Sequence, residues 1–545
     1  MKFRVLFLAF FFVSLYGLLV FKLYSIQISK VDFYAAKAES QLFGNLDAQR
    51  RGTIYLSDKD GTYIPAALQK EFTEIYATPI EIIDPAVAAV EISEIVNIPV
   101  SELTRMFNKK NDEYELLIAK ASSEQIEAIN ALGNIAGIHQ KLKAERFYPL
   151  GSQVAHVLGF VSADEKSDLL VGRYGLESYF ENRLAGVPEI VSGDSVQKAV
   201  AGGDVYLSID RNIQSQAEEI LNRLVTNYNA SGGMIIVQDP KTGRILANTN
   251  SPTFDPNNFS NYPIPSFTNP SVQSIYEPGS IFKVITMAIG LDSGAITPLT
   301  EYVDTGSVTL NGSTIHNWDL KSHGRQTMTN VIEKSLNTGT VFAEKQIGHG
   351  IFKQYLEKFR FEEKTDIALP GEVVGNFRSL YNEKDSKDIN FATASFGQGI
   401  SVTPIGLLRA VGVLANKGIM MKPLIEVNEQ PKEIGRIISE EASKEITNIM
   451  VSAVDKAIIA HIPGYNIAGK TGTAQVPNFK NGGYTEEVIN TYIGYGPATN
   501  PQFIILVRLD KPYGAPLAGQ TVVPAFKELA QFVINYYHIT PDKLE

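Results

Sequence analysis

Cysteine is absent from the 545-residue chain. That excludes a disulfide framework, a thiolate nucleophile and any cysteine-ligated zinc or iron–sulfur centre. It leaves the compartment open, since oxidising and reducing environments both tolerate a chain without thiols. Positive charge is in deficit: 49 Lys and Arg against 59 Asp and Glu give a net charge of −10. A nucleic-acid binder needs a basic surface to meet phosphates, so that class is not supported. Histidine is scarce, with 7 residues and no H-E-x-x-H, so a zincin site has no basis. No G-x-S-x-G elbow occurs. Internal repeats and low-complexity tracts are also missing. Hydrophobic residues at 44% and charged residues at 20% lie near globular averages, which excludes wholesale disorder and collagen-like repeats. The length suits about two to four domains.

Long apolar runs are equally rare, with one exception. Val5 to Phe21 is uncharged for 17 residues, flanked by Lys2 and Arg4 before it and Lys22 after it. Extended past a snorkelling Lys22 to Tyr24, about 20 residues at 1.5 Å rise span the roughly 30 Å of a bilayer core. Lys22-Leu23-Tyr24-Ser25-Ile26-Gln27 contains no A-x-A-like site. The expected element is therefore an uncleaved signal anchor over 5–24 with a tail at 1–4, rather than a cleaved signal peptide or a buried helix. Lys and Arg counts on the two sides are similar, so the positive-inside rule leaves the orientation open.

Beyond the anchor, residues 25–45 read as an amphipathic helix leaving the membrane. Residues 46–200 alternate short apolar runs with helix-favouring pieces, an ordered α+β texture, and the whole of 25–200 is expected to form one module. Small and polar residues cluster at Val191 to Gly203, which suits a boundary. Gly233–Gln238 and Arg244–Asn250 read as strands around the turn Asp239-Pro240-Lys241-Thr242-Gly243. A helix-rich stretch from about Gly279 to Ala460 follows. Strand-like runs then come at Tyr465–Val476, Val488–Tyr495 and Gln502–Asp510. Pro524 to Tyr537 closes the chain as an amphipathic helix. Two strands, a helical insertion, three strands and a helix predict an antiparallel sheet covered by helices over 201–545.

Three short motifs fall in that region. Ser280-Ile281-Phe282-Lys283 is S-x-x-K after Pro278-Gly279, opening an apolar helix. Positions i and i+3 share a helix face, so hydroxyl and amine can touch, and a desolvated lysine near another cation can serve as base for a serine nucleophile. Ser335-Leu336-Asn337 is S-x-N, read as following helical Val331–Lys334, with Thr338-Gly339 ending the run. Lys470-Thr471-Gly472-Thr473 is K-T-G-T within a strand, where Gly472 leaves room for a substrate backbone.

Each motif has decoys. Ser195-Val196-Gln197-Lys198 also matches S-x-x-K but has no helix start before it. Lys241-Thr242-Gly243 repeats K-T-G inside a turn, whose residue preferences explain it without function. Gly464 to Thr471 (GYNIAGKT) fits a phosphate loop, and Phe503 to Asp510 resembles a strand ending in a magnesium-binding Asp. A phosphate loop must open a helix, whereas Gly472 to Pro477 continues as strand and loop, so nucleotide binding is the remote alternative. His316 and His323 flank Trp318 without a carboxylate at ligand-like spacing.

S-x-x-K, S-x-N and K-T-G in this order resemble the penicillin-binding proteins, specifically the class B transpeptidases. Tyr276 to Lys283 resembles the nucleophile segment, Phe396 to Pro404 the glycine loop, and Lys470 to Gln475 the sheet edge beside the serine. Arg51-Gly52-Thr53-Ile54-Tyr55, Arg146 to Pro149, Ala155 to Gly159 and Tyr174 to Glu177 resemble motifs of the family's pedestal, with Leu56-Ser57 as an apparent insertion. The resemblance implies a pedestal (dimerisation-type) module and a transpeptidase domain with a five-stranded antiparallel sheet and a helical subdomain. It implies a D,D-transpeptidase, blocked by β-lactams, that cross-links stem peptides through an acyl-enzyme on D-Ala-D-Ala. Ser280 is the implied nucleophile, Lys283 its base and Ser335 a proton relay. Asn337 is expected to hold a substrate amide and help fix Lys283. Lys470, Thr471, Gly472 and Thr473 are expected to hold the terminal carboxylate, with the N–H groups of Ser280 and Thr473 as oxyanion hole. No metal or cofactor is implied. The expected partners are the cytoplasmic membrane, a membrane glycan polymerase and other division or elongation proteins. The implied location is the inner membrane, catalytic part outside, with septal work favoured over elongation. A β-lactam-sensing receptor and a non-catalytic cell-wall scaffold are the alternatives.

Overall fold

The computed structural model describes residues 2–29, 50–109, 111–133, 135–164, 169–187, 190–192, 195–197, 200–381, 387–478, 482–515 and 517–543. The segment 30–49, most of the amphipathic helix expected over 25–45, lies outside them. So does Lys198 of the first S-x-x-K decoy, whose Ser195–Gln197 is a short strand.

Helix α1 (Lys2–Tyr24) runs into a π-helical turn at Ser25–Ser29. Phe10–Ile28 is, among the described residues, the one helical stretch long and apolar enough to cross a membrane. It starts and ends a little later than the run expected at 5–24. Its residues are not buried within the protein, as a lipid-facing helix requires.

The first sheet has the order β3-β2-β1-β5, with β4 also paired to β2. Its strands are β1 (Ile54–Ser57), β2 (Tyr63–Ala77), β3 (Glu115–Ile118), β4 (Ile138–Phe147) and β5 (Val205–Asp210). Leu56 and Ser57 are β1 residues, paired with Ile64 and Tyr63, and Leu56 is buried. Helices α2 (Pro85–Val96), α3 (Val100–Phe107) and α4 (Ser123–Ala131) join β2 and β3 in a small core around Ile75, Ile92, Leu103 and Phe107. Asp84 caps α2 through the Ala86 and Val87 N–H groups, and a Ser122–Gln125 capping box opens α4. Strand β5 pairs in parallel with β1, so this sheet extends across residue 200.

The second sheet is five-stranded and antiparallel throughout, order β7-β6-β10-β9-β8. Its strands are β6 (Gly232–Gln238), β7 (Ile245–Ser251), β8 (Ala468–Pro477), β9 (Tyr484–Gly496) and β10 (Phe503–Asp510). Near-continuous burial along β6 and β10 shows that both faces are covered. One face carries α5 (Arg211–Asn227) and the C-terminal α11 (Val522–Tyr536), whose apolar positions join the core with Ile235, Val237, Ile505 and Val507. The other faces the helical part: α6 (Phe282–Asp292), α7 (Met328–Lys334), α8 (Asn337–Ile347), α9 (Pro404–Ala415) and α10 (Glu440–Ala457). Residues Phe282–Leu291 of α6 and all of α9 are buried, the signature of helices inside a large core.

Two details depart from the sequence expectation. The helix-rich stretch also holds three two-stranded ribbons: Glu301–Asp304 with Gly324–Thr327, Ser307–Leu310 with Ser313–His316, and Ile419–Met421 with Glu433–Arg436. Thr338-Gly339 does not end a helix. Ser335 ends α7 in the left-handed conformation (φ 55°), and α8 begins at Asn337. Gly339 lies inside α8, packed so closely on α7 that a Cβ there would meet Val331 Cγ2 at 2.2 Å.

Candidate active site

Ser280 sits in a single helical turn, Gly279–Ile281, that leads into α6. Gly279 has φ +54°, and the Cβ of any other residue there would lie 3.2 Å from the Thr473 carbonyl oxygen. The turn is gripped from two sides. The Gly279 N–H donates to the Gly397 carbonyl oxygen at 3.0 Å, and Tyr276 and Val402 exchange backbone bonds of 3.0 and 2.9 Å. Across the turn, Gly472 of edge strand β8 packs so closely that a Cβ would lie 3.0 Å from the Pro278 carbonyl oxygen. The glycines of both motifs thus serve close backbone approach.

The three motifs converge on Ser335. Lys283, fully buried on α6, donates to the Ser335 carbonyl oxygen (2.6 Å) and to Ser335 Oγ (3.2 Å). Lys470 Nζ donates to the same Oγ (3.0 Å) and to Thr471 O (3.1 Å). Among the described residues no carboxylate pairs with either lysine. Burial, and then the Lys470 charge, push the Lys283 amine well below the ordinary lysine range. Burial alone brings Lys470 down to about 7. Lys283 is therefore poised as a neutral amine: two N–H groups point at Ser335, leaving a lone pair that can accept a proton. The Ser280 hydroxyl has no hydrogen-bond partner among the described residues, so the amine contact expected between Ser280 and Lys283 is not formed; the amine turns to Ser335.

Asn337 does not make the expected contact with Lys283: its Nδ2 donates to the His316 carbonyl oxygen at 2.7 Å. It thereby ties the start of α8 to the ribbon ending at His316. Thr471, Gly472 and Thr473 pair with Tyr492, Thr491 and Asn490 of β9, and among the described residues no strand pairs with the other edge of β8. Thr473 Oγ1 lies 3.3 Å from Asn490 Oδ1.

Ser280, Ser335, Lys470, Thr471 and Thr473 line one groove of about 910 Å³. Sequence reasoning missed its rim: Trp318, Asp319, His323 and Lys334. Trp318 is exposed and donates its Nε1–H to the Lys334 carbonyl oxygen at 3.0 Å. His323 does have a carboxylate partner: Asp319, four residues earlier, lies 3.0 Å from its Nε2. That i,i+4 spacing was the available signal.

The decoys fall away on context. Lys241-Thr242-Gly243 forms the expected turn, with Thr242 Oγ1 donating to Asp239 (2.7 Å) and Lys241 Nζ to Asn500 (2.6 Å). Lys470 and Thr471 lie in a strand, and no helix opens after them, so the phosphate-loop pattern lacks its anion site.

The upstream motifs meet as well. Glu177, fully buried, accepts from Arg51 Nε (2.7 Å) and Arg146 Nε (2.6 Å), while Arg51 Nη2 also reaches Glu181 (2.6 Å). Arg146 Nη1 donates to the Gly52 carbonyl oxygen. Residues 126 positions apart in sequence form one ion cluster.

A family model described as the penicillin binding protein transpeptidase domain matches residues 233–531, more than half the chain, and one described as the penicillin-binding protein dimerisation domain matches 47–221. The chain belongs to the class B penicillin-binding proteins. This penicillin-binding protein is 30% identical to stage V sporulation protein D of Bacillus subtilis, over 94% of its own chain and 83% of the relative. It is 29% identical to the peptidoglycan D,D-transpeptidase FtsI of Escherichia coli, over 91% and 85%. Among solved structures, penicillin binding protein 2X of Streptococcus thermophilus shares its fold, with a TM-score of 0.73 at 23% identity, over 91% of this chain and 81% of that one.

Proposed function

We propose that this penicillin-binding protein is a serine-type peptidoglycan D,D-transpeptidase. The observation that carries the reading is the convergence of Lys283 and Lys470 on Ser335 beside Ser280, with Lys283 driven to its neutral form. In this mechanism Ser280 Oγ gives its proton to the Lys283 amine and attacks the carbonyl of a D-Ala-D-Ala stem peptide. The N–H groups of Ser280 and Thr473 receive the oxyanion. The C–N bond then breaks: Ser335 gives its hydroxyl proton to the leaving D-Ala amine and takes the proton held by Lys283, which returns to the neutral amine. An amine of a neighbouring strand attacks the acyl-enzyme, forms the cross-link and restores Ser280. Lys470, with Thr471 and Thr473, binds the terminal carboxylate. A β-lactam stops at the acyl-enzyme.

The N-terminal helix anchors the protein in the cytoplasmic membrane, with the tail inside and the sheets outside, where peptidoglycan lies. Residues 25–200 are read as the pedestal and 201–545 as the transpeptidase domain, with β5 reaching back across that boundary to pair with β1. Septal synthesis is the favoured setting, supported by the FtsI-type relative, with a membrane glycan polymerase as working partner. Labelling with a fluorescent penicillin tests the assignment: a covalent adduct on Ser280 is expected, absent in Ser280→Ala. No adduct, or one that survives the substitution, sinks it. An adduct on a protein that yields no cross-linked peptide indicates a receptor or scaffold.

A further inference from the structure

Past Ala474, the hairpin of β8 and β9 runs out beyond the sheet's core. None of the described residues between Gln475 and Ile489 is buried. A hairpin without buried side chains does not hold its own position, yet it continues the strand that carries Thr473. One of its residues, Tyr484, paired with Pro477 at the outer end, reaches back to the nucleophile turn. Its hydroxyl donates to the Glu277 carboxylate, 3.1 Å from Oε2 and 3.3 Å from Oε1. Glu277 lies three residues before Ser280 and is 8% exposed. Its Oε1 also accepts the Gly399 N–H at 3.1 Å. One carboxylate therefore joins the nucleophile turn, the glycine loop and the outer hairpin. Burial raises its pKa, so these two donors help offset the desolvation.

We infer that Glu277 is a positioning residue for acylation: through the Tyr484 hydroxyl it latches the outer hairpin to the nucleophile turn and so fixes the Thr473 N–H relative to Ser280. This inference rests on the transpeptidase reading. Strand β8 is tied at Lys470 by Ser335 and at Gly472 by close packing on Pro278. Ala474, buried, packs against Gly279 just beyond Thr473, and the latch adds the outermost tie. Without it the strand beyond Ala474 is held by its pairing with β9 alone, and its displacement shifts the oxyanion donor.

The test measures acylation of the full-length protein by a fluorescent penicillin, resolved into the dissociation constant and the first-order acylation rate. Tyr484→Phe, on an exposed side chain, is expected to lower the rate about tenfold with little change in the dissociation constant, since misplaced groups cost chemistry more than binding. Glu277→Ala also strips the Gly399 N–H of its acceptor, so it is expected to lower the rate at least as far, and the double variant to be no slower than Glu277→Ala, because both changes remove the same Tyr484 bond. Glu277→Gln keeps an acceptor oxygen and is expected to retain most of the rate. Melting temperatures exclude unfolding. Wild-type rates in Tyr484→Phe, or losses that multiply in the double variant, overturn the inference alone. An unlabelled wild type overturns the transpeptidase reading and the inference with it.

Discussion

Arg51 and Arg146 in the first sheet's module, and Lys283 and Lys470 beneath the groove, are all buried, but they are treated in opposite ways. The arginines share the carboxylate of Glu177, and Arg51 adds Glu181. Among the described residues the lysines meet no carboxylate, only Ser335 and the Thr471 backbone and hydroxyl. Paired guanidinium groups stay charged and hold distant segments together. Unpaired ammonium groups surrender protons, and a lysine that does so becomes a base. Residue type alone does not separate structural from chemical use; the presence of a carboxylate does.

The sharpest way to break this contrast is at Lys283. Lys283→Met replaces a desolvated amine with an apolar chain of similar size. Acylation by fluorescent penicillin is expected to fall about 10³-fold or more, while the melting temperature holds or rises. A drop in both marks Lys283 as structural. On the other side, Glu177→Ala strips two buried guanidinium groups of their partner. A loss of about 3–5 kcal/mol in unfolding free energy is expected, read by denaturant titration. A loss under about 1 kcal/mol shows that the cluster is solvated and the contrast false.

Proton linkage gives a smaller, signed effect. Lys470 titrates near 7 when folded and near 10.5 when unfolded. Between those values the unfolded chain binds more protons, so stability is expected to rise with pH across this window. The cost of charging Lys470 is fully present below about 7. Lys470→Met is expected to flatten the slope between pH 7 and 10; an unchanged slope refutes the depressed value. Acylation is expected to decline as acid protonates Lys283. Smallest of all, Lys241→Ala in the other K-T-G changes acylation by less than about twofold and stability by about 0.5 kcal/mol at most.

Much of this was legible in the residues. Strand order along the chain followed from apolar runs and the Asp239–Gly243 turn, with boundaries displaced by a few residues. Ser280, Ser335 and Lys470 were marked by motif order. The ribbons within 301–327 escaped notice, because strands of four residues carry little periodicity. The bond of Asn337 to the His316 carbonyl oxygen escaped notice because His316 belongs to one of those ribbons.

Sequence by itself determined the apolar run that forms the N-terminal helix, the absence of thiol chemistry, the α+β class and the motif serine and lysines. These depend on composition, local period and spacing, which act between near neighbours. Tertiary structure alone decided that Lys283 turns to Ser335, that Lys470 meets no counter-ion among the described residues, that Arg51 and Arg146 share Glu177, and that Glu277 holds Tyr484. Each depends on which group lies opposite across a packed interface, and burial then sets whether a charge is kept or given up.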